Sequence, residues 1–150
     1  MSARLRALPT LMVASTGCAM TVLDTNIVAI VLPDIARDLN ASFAQVEWVI
    51  SAYVLCFASL LLPAGAIADR YGRKRVFLAG IAGFAVASLM CGMASSPSLL
   101  FVSRALQGVG AAFLLAPALA IIGHAFHDER ERDSAWAMWG GMMGLTMVLS

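Results

Sequence analysis

The sequence predicts an all-α integral membrane protein of five transmembrane helices, the fifth incomplete. Three observations lead there. Of the 150 residues, 61% are hydrophobic and 13% charged, with a mean hydropathy of +0.85, whereas a soluble domain has about 45–50% apolar and about 25% charged residues. The apolar residues gather into five stretches, roughly 8–32, 46–68, 76–94, 99–123 and 135–150, and about 20 residues suffice for one crossing. The basic residues fall in alternate connections, as they do when one set of loops stays in the cytoplasm. A soluble globular enzyme does not fit this composition.

The first stretch follows Arg4 and Arg6, which resemble the basic flank of a signal peptide. Its apolar run continues well past the usual length of such a peptide and further spans follow, so it reads as a retained span. Ser15-Thr16-Gly17-Cys18 has the outline of a lipoprotein cleavage site but lacks the branched aliphatic residue at its first position. Cys18, Cys56 and Cys91 all lie in apolar runs without a pairing pattern, and are read as buried small hydrophobes rather than disulfides or zinc ligands.

The connections set the orientation. The first, Pro33 to Glu47, is mainly acidic, with Arg37 as its one basic residue, and the third, Ala94 to Ser98, has no charge. The second carries Arg70, Arg73, Lys74 and Arg75, and the fourth Arg130 and Arg132. With Arg4 and Arg6 these place the N-terminus and the basic loops in the cytoplasm.

Two charges fall inside apolar stretches: Asp24 in the first and Arg104 in the fourth. A charge at mid-bilayer costs about 2.5–3.5 kcal/mol even on a lenient scale, so it normally faces a partner or a water-filled cavity. Measured from the ends of their apolar stretches, Asp24 and Arg104 lie at depths of about 13 and 9 Å. Gln107, one turn along the face of Arg104, comes closer still to the depth of Asp24. An Asp24–Arg104–Gln107 cluster is therefore expected. It serves either as a fixed ion pair holding two helices or as a proton or substrate site. A low dielectric favours the neutral form of a carboxylate and a neighbouring guanidinium opposes this, so such a carboxylate can couple protonation to helix movement.

Between the second and third stretches runs Gly65-Ala-Ile-Ala-Asp69-Arg70-Tyr-Gly72-Arg73-Lys74-Arg75. Asp69 ends a helix whose dipole disfavours an acid there, so it should point at a helix N-terminus or an arginine. Gly65, one turn earlier, would admit a close partner, and Gly72 suits a tight turn of positive φ. In the fourth stretch Gly108, Ala112, Ala116 and Ala120 form a stripe of small residues suited to close helix approach, and Pro117 should kink the helix. The fifth stretch has Gly140 and Gly144 in a weak GxxxG pair, with Met138, Met142, Met143 and Met147 as packing residues. From Ser134 it offers about 16 residues, or about 24 Å, so the chain is expected to be a piece of a longer one. The segment His124 to Asp133 reads as a solvated loop of mixed charge rather than a metal site.

The segment 65–77 resembles the loop motif of the major facilitator superfamily, Gly-x-Leu-Ala-Asp-Arg-x-Gly-Arg-Lys, with Ile67 in place of Leu. Leu100-x3-Arg104-x2-Gln107-Gly108-x-Gly110-Ala111-Ala112 resembles the fourth-helix motif of its proton-coupled members. Leu23-Asp24-Thr25-Asn26-Ile27-Val28-Ala29-Ile30-Val31-Leu32-Pro33 is similar to the first-helix motif of the fourteen-span drug:proton antiporters, as is Trp48-Val-Ile-Ser-Ala-Tyr53 in the second span. The departures are Asn26, Ala29 and Val31, where the family has Thr, Asn and Ala; the missing amide at 29 bears on substrate class.

The resemblance implies the N-terminal part of a transporter that exports drug-like or toxic small molecules through the cytoplasmic membrane by alternating access. Arg104 would take part in proton coupling and Asp24 in proton or substrate binding. Gly65 and Asp69 would contact a helix of the other half, with Arg70 and Arg73 in a charge relay. The first and fourth helices would be equivalent elements of inverted repeats lining one cavity. No cofactor beyond the proton gradient, no nucleic acid and no enzymatic activity is expected. The partners are small molecules, protons, the bilayer and the remaining helices. An exporter of one metabolite or antibiotic, and a non-transporting helical module, are the alternatives.

Overall fold

The computed structural model describes the backbone of residues 2–125 and 129–149 and the side chains of 12–121, 133, 134, 136–142 and 144–148. It contains five helices: α1 (Ser2–Asp38), α2 (Phe43–Tyr71), α3 (Arg73–Gly92), α4 (Pro97–Ala125) and α5 (Glu129–Leu149), with no strand among the described residues. Among the described residues, four segments are long and apolar enough to cross a membrane: Met12–Asp38, Phe43–Tyr71, Arg73–Gly92 and Pro97–Ile121. They make the chain a multi-pass membrane protein. α5 is not among them, and its first residues, Glu129 to Asp133, are charged.

The helices match the five apolar stretches in number and order but not in extent. α1 runs through Pro33, which the sequence places in a loop, and ends at Asp38. Beyond the apolar edge the helix still satisfies its own backbone, and an exposed Asp34–Arg37 pair at 3.7 Å spans one turn there. What stops it is Asn40, at φ 50, the left-handed conformation that asparagine tolerates. Ala41 N–H then donates to Ala36 O at 2.9 Å and Asn40 N–H to Arg37 O at 3.2 Å, the two bonds of a Schellman end. One residue later Ser42 caps α2. Gln45 N–H donates to its hydroxyl at 3.3 Å, and its own N–H donates to Gln45 Oε1 at 2.8 Å, a capping box. A single residue, Gly72 at φ 100, joins α2 to α3. α4 remains helical through Pro117, so the expected interruption does not end or divide it.

α4 is the central helix. It packs against α1, α2 and α3 along its length and more lightly against α5. In lipid no hydrophobic force drives helices together, so contact relies on small residues that let backbones meet. A Cβ on Gly108 would run into the backbone of Tyr53 on α2, and one on Gly110 into the backbone of Phe84 on α3. In return, a Cβ on Gly80 of α3 would meet the backbone of Phe113 and Leu114. The stripe read from the sequence thus holds at Gly108 and Ala112, both buried. The α3 face adds the glycine pair 80/110, whose packing role that reading did not include.

Three apolar clusters stack along the bundle. Near Gly72, Ala14, Cys18, Phe77, Leu114 and Ala118 pack together, with Trp136 and Trp139 of α5 against them. In the middle are Tyr53, Phe84 and Ala111, and at the Ser42 end Leu32, Val49 and Leu100. Of the three cysteines, Cys18 is buried as expected, while Cys56 and Cys91 are only partly so. Outward faces carry apolar side chains such as Phe43 and Leu62, 85% and 84% exposed, suited to lipid or to further helices rather than water.

Gly80→Ala should lower the melting temperature of the purified full-length protein, since overpacking costs about 1–3 kcal/mol. Gly83→Ala, three residues on, has open space for its methyl group and should leave it unchanged or raise it slightly. Equal behaviour of the two variants would contradict the α3–α4 packing.

Candidate functional site

Asp24, Arg104 and Gln107 come together between the middle cluster and the Ser42-end cluster. Arg104 and Gln107 sit three residues apart on α4 and so share a face. The guanidinium Nη1 of Arg104 donates to Asp24 Oδ2 at 2.6 Å and to Gln107 Oε1 at 2.8 Å. Gln107 Nε2 donates to Asp24 Oδ1 at 2.6 Å. Both carboxylate oxygens are therefore engaged. The reverse orientation of the Gln107 amide would set one donor against another, so the network fixes it.

Burial is uneven across the cluster. Arg104 is 2% exposed and Gln107 fully buried, while the Asp24 side chain keeps 14% of its surface. The site therefore opens at the carboxylate. A buried ion pair made with good geometry and further hydrogen bonds offsets the cost of taking both charges out of water, and removing one partner leaves the other uncompensated. The depth argument holds because the apolar edges were the right ruler. Measured from the helix ends, Asp24 and Arg104 would fall about 10 Å apart in level, since α1 continues past Pro33.

Two further residues complete the site. Tyr53 of α2 places its ring 4.3 Å from the guanidinium carbon of Arg104, within cation–π range. Cys91 of α3 donates its thiol to Gln107 Oε1 at 3.4 Å. In the sequence Tyr53 closes the second-span motif Trp48-Val-Ile-Ser-Ala-Tyr53, and its spacing points to no partner. Cys91 was readable from spacing: Phe77, Phe84 and Cys91 recur every seven residues, which keeps them on one face of α3. All four membrane-crossing helices thus contribute one group or more. The hydroxyl of Thr21 bonds back to an α1 carbonyl at 2.7 Å, while that of Thr25 bonds back to Thr21 O at 2.9 Å and also meets the Tyr53 hydroxyl.

At the Gly72 end, Asp69 does face an arginine. Arg73, one turn on, donates through Nε at 2.9 Å and approaches the same oxygen through Nη2 at 2.8 Å. Its Nη1 donates to Ala120 O of α4 at 3.2 Å, so one side chain ties the α2–α3 corner to the central helix. Gly72 has the positive φ expected of it. Gly65 has open space where a side chain would stand, and Arg70 lies over the ring of Tyr71 at 5.6 Å. Arg70 and Lys74 are exposed. Ala112 and Pro117 are buried in the α4 packing. Among the described residues no group of His, Cys, Asp and Glu could hold a metal. His127, and the side chains of His124, Met143, Arg4, Arg6, Arg130 and Arg132, lie outside the described residues.

Helices of membrane-crossing length, joined by a buried charge cluster, make this a polytopic membrane protein, and intramembrane charges commonly mark ion or substrate paths. Comparison with known proteins identifies the family. The chain matches the Major Facilitator Superfamily over residues 14–150 and belongs to it, which points to transport rather than catalysis. It is 47% identical over 125 residues to the puromycin resistance protein of Streptomyces alboniger, covering 83% of this chain and 25% of that one. It is 39% identical over 139 residues to the tetracenomycin C resistance and export protein of Streptomyces glaucescens, covering 93% and 26%. The cephamycin export protein of Amycolatopsis lactamdurans is 39% identical over 140 residues, covering 89% and 29%. The chain thus spans about a quarter of the length of these relatives.

A double-mutant cycle of Asp24→Asn and Arg104→Gln, followed by thermal melting of the full-length protein, should show a coupling of about 1–3 kcal/mol. Additive effects would mean that the pair does not join α1 to α4.

Proposed function

We propose that the full-length protein is a proton-coupled exporter that moves drug-like or toxic small molecules out across the cell membrane by alternating access. This chain would be the N-terminal part of a fourteen-span transporter, with its N-terminus and basic loops in the cytoplasm. The observation that carries the proposal is the Asp24–Arg104–Gln107 cluster, supported by export and resistance proteins among the relatives.

With its carboxylate charged, Asp24 holds α1 to α4 through both oxygens. A proton on Asp24 cancels the ion pair and leaves Arg104 with Gln107, which loosens the α1–α4 contact. The partial exposure of Asp24 supports its access to protons or substrate from a cavity between these helices. The membrane potential supplies about 2.3 kcal/mol per charge per 100 mV, so proton entry can drive the cycle without another cofactor. At the cytoplasmic end, the open face of Gly65 and the exposed carboxylate of Asp69 are suited to a helix from the other half of the transporter. Arg70, Gly72, Arg73 and Lys74 form the corner beneath it. A second reading, an exporter dedicated to one antibiotic, is favoured by the names of the puromycin, tetracenomycin C and cephamycin relatives.

The test is gradient-driven efflux by the full-length protein in membrane vesicles. Asp24→Asn and Arg104→Ala should each reduce it by about tenfold or more, while binding of substrate without a gradient persists in at least one of them. Wild-type efflux by Asp24→Asn would overturn proton coupling at this site. A panel of unrelated drugs, set against puromycin-like and cephalosporin-like compounds, separates the broad exporter from the dedicated one.

A further inference from the structure

Arg104 lacks a full set of acceptors. Its Nη1 serves both Asp24 and Gln107, while its Nε is buried without a hydrogen-bond partner. A cation in so dry a place needs another source of negative potential, and the ring face of Tyr53 is 4.3 Å away. The ring is itself held in place. Tyr53 is 6% exposed, its backbone lies where only a glycine at 108 lets α4 approach, and its ring stacks on Phe57 with centroids 6.1 Å apart. Gly108 is one turn from Arg104, so the close approach of α2 to α4 and the placement of the ring under the guanidinium are one packing event.

We propose that Tyr53 is a positioning residue that holds the Arg104 guanidinium when Asp24 is neutral, and so sets how readily the carboxylate takes up its proton. This rests on the reading of Asp24 as the proton-coupling residue. While Asp24 is charged, its oxygens fix where the guanidinium sits, and the negative ring face opposes the nearby carboxylate charge. Once Asp24 is neutral, Gln107 Oε1 and the ring are what remain. The guanidinium can then settle onto the ring face and that opposition is gone, both of which favour the protonated state. The groups facing Asp24 from the packed helices are Tyr53 of α2, the thiol of Cys91 on α3, and Arg104 and Gln107 of α4. Beyond Asp133, α5 has no charged residue. Among these four, Tyr53 is the aromatic residue, and its ring face is negative without carrying a net charge.

Without the ring, the neutral state of Asp24 is less favoured, more protons are needed to reach it, and the midpoint of the pH dependence of efflux falls. In full-length protein in vesicles, Tyr53→Leu should lower that midpoint by about half a pH unit to one unit, a three- to tenfold change. Tyr53→Phe, which keeps the ring face, should hold the wild-type midpoint. If the leucine variant does not fold, pentafluorophenylalanine at position 53 keeps the shape and removes the negative face, and should lower the midpoint as leucine does.

An unchanged midpoint in folded Tyr53→Leu or in the fluorinated variant overturns the inference. So does an equal shift in Tyr53→Phe, which would assign the effect to the hydroxyl. If Asp24→Asn abolishes gradient-driven efflux while these variants leave the midpoint in place, proton coupling stands and the role of Tyr53 falls. If Asp24→Asn leaves efflux intact, both fall together.

Discussion

A guanidinium with 2% of its surface exposed, in the interior of a membrane bundle, constrains everything around it. Arg104 is almost wholly shut off from solvent, so the fold must bring it anions, acceptors and polarisable faces from several helices at once. α1 supplies Asp24, α4 itself Gln107 and α2 the ring of Tyr53; α3 adds the thiol that steadies Gln107. Each element is tethered to the same cation. The polar cluster does for helix association here what apolar burial does in a water-soluble core, because lipid gives apolar side chains no reason to prefer one another.

That tethering works only where backbones come close. Gly108 admits Tyr53, and the glycines at 80 and 110 admit α3, so α4 sits between two helices at distances that larger residues forbid. α4 packs far more extensively against α2 and α3 than against α1. α2, α3 and α4 therefore form the firmer body. α1 is attached to it through Asp24 at mid-depth and through Leu32 and Ala14 in the end clusters. In a bundle built this way, the α1–α4 contact at mid-depth rests on the Asp24–Arg104 ion pair and the Gln107 amide beside it.

Much of this was legible in the residues, for reasons that differ by element. The spans showed because bilayer thickness imposes length, and the mid-membrane pair showed because two charges in apolar runs have few ways to be satisfied. The turn at Gly72 showed because a glycine between two apolar stretches, followed by three cations, has no better use. The end of α1 was misplaced: Pro33 marks the apolar edge but does not stop a helix already running, and the stop is written in Asn40, whose left-handed conformation has no strong signature in sequence. Tyr53 was missed because its role is tertiary. Nothing in the spacing of α2 says which helix its ring will face, and only the glycine at 108, four residues after Arg104, hints that α2 passes there.

The two polar devices of the chain are joined through α4. Arg104 and Ala120 are 16 positions apart on one helix, about 24 Å, and each end of that length is tied to another element by an arginine: Arg104 to Asp24 of α1, and Arg73 to the carbonyl of Ala120. Arg73 is also bound by Asp69, whose carboxylate is exposed. A shift of the Gly72 corner relative to α4 would be borne by a helix whose small residues interlock with α2 and α3. Interlocked backbones transmit displacement rather than absorb it. α1 is held to that body at mid-depth by one carboxylate, so the Gly72 corner and the intramembrane pair are joined through the same interlocked helix.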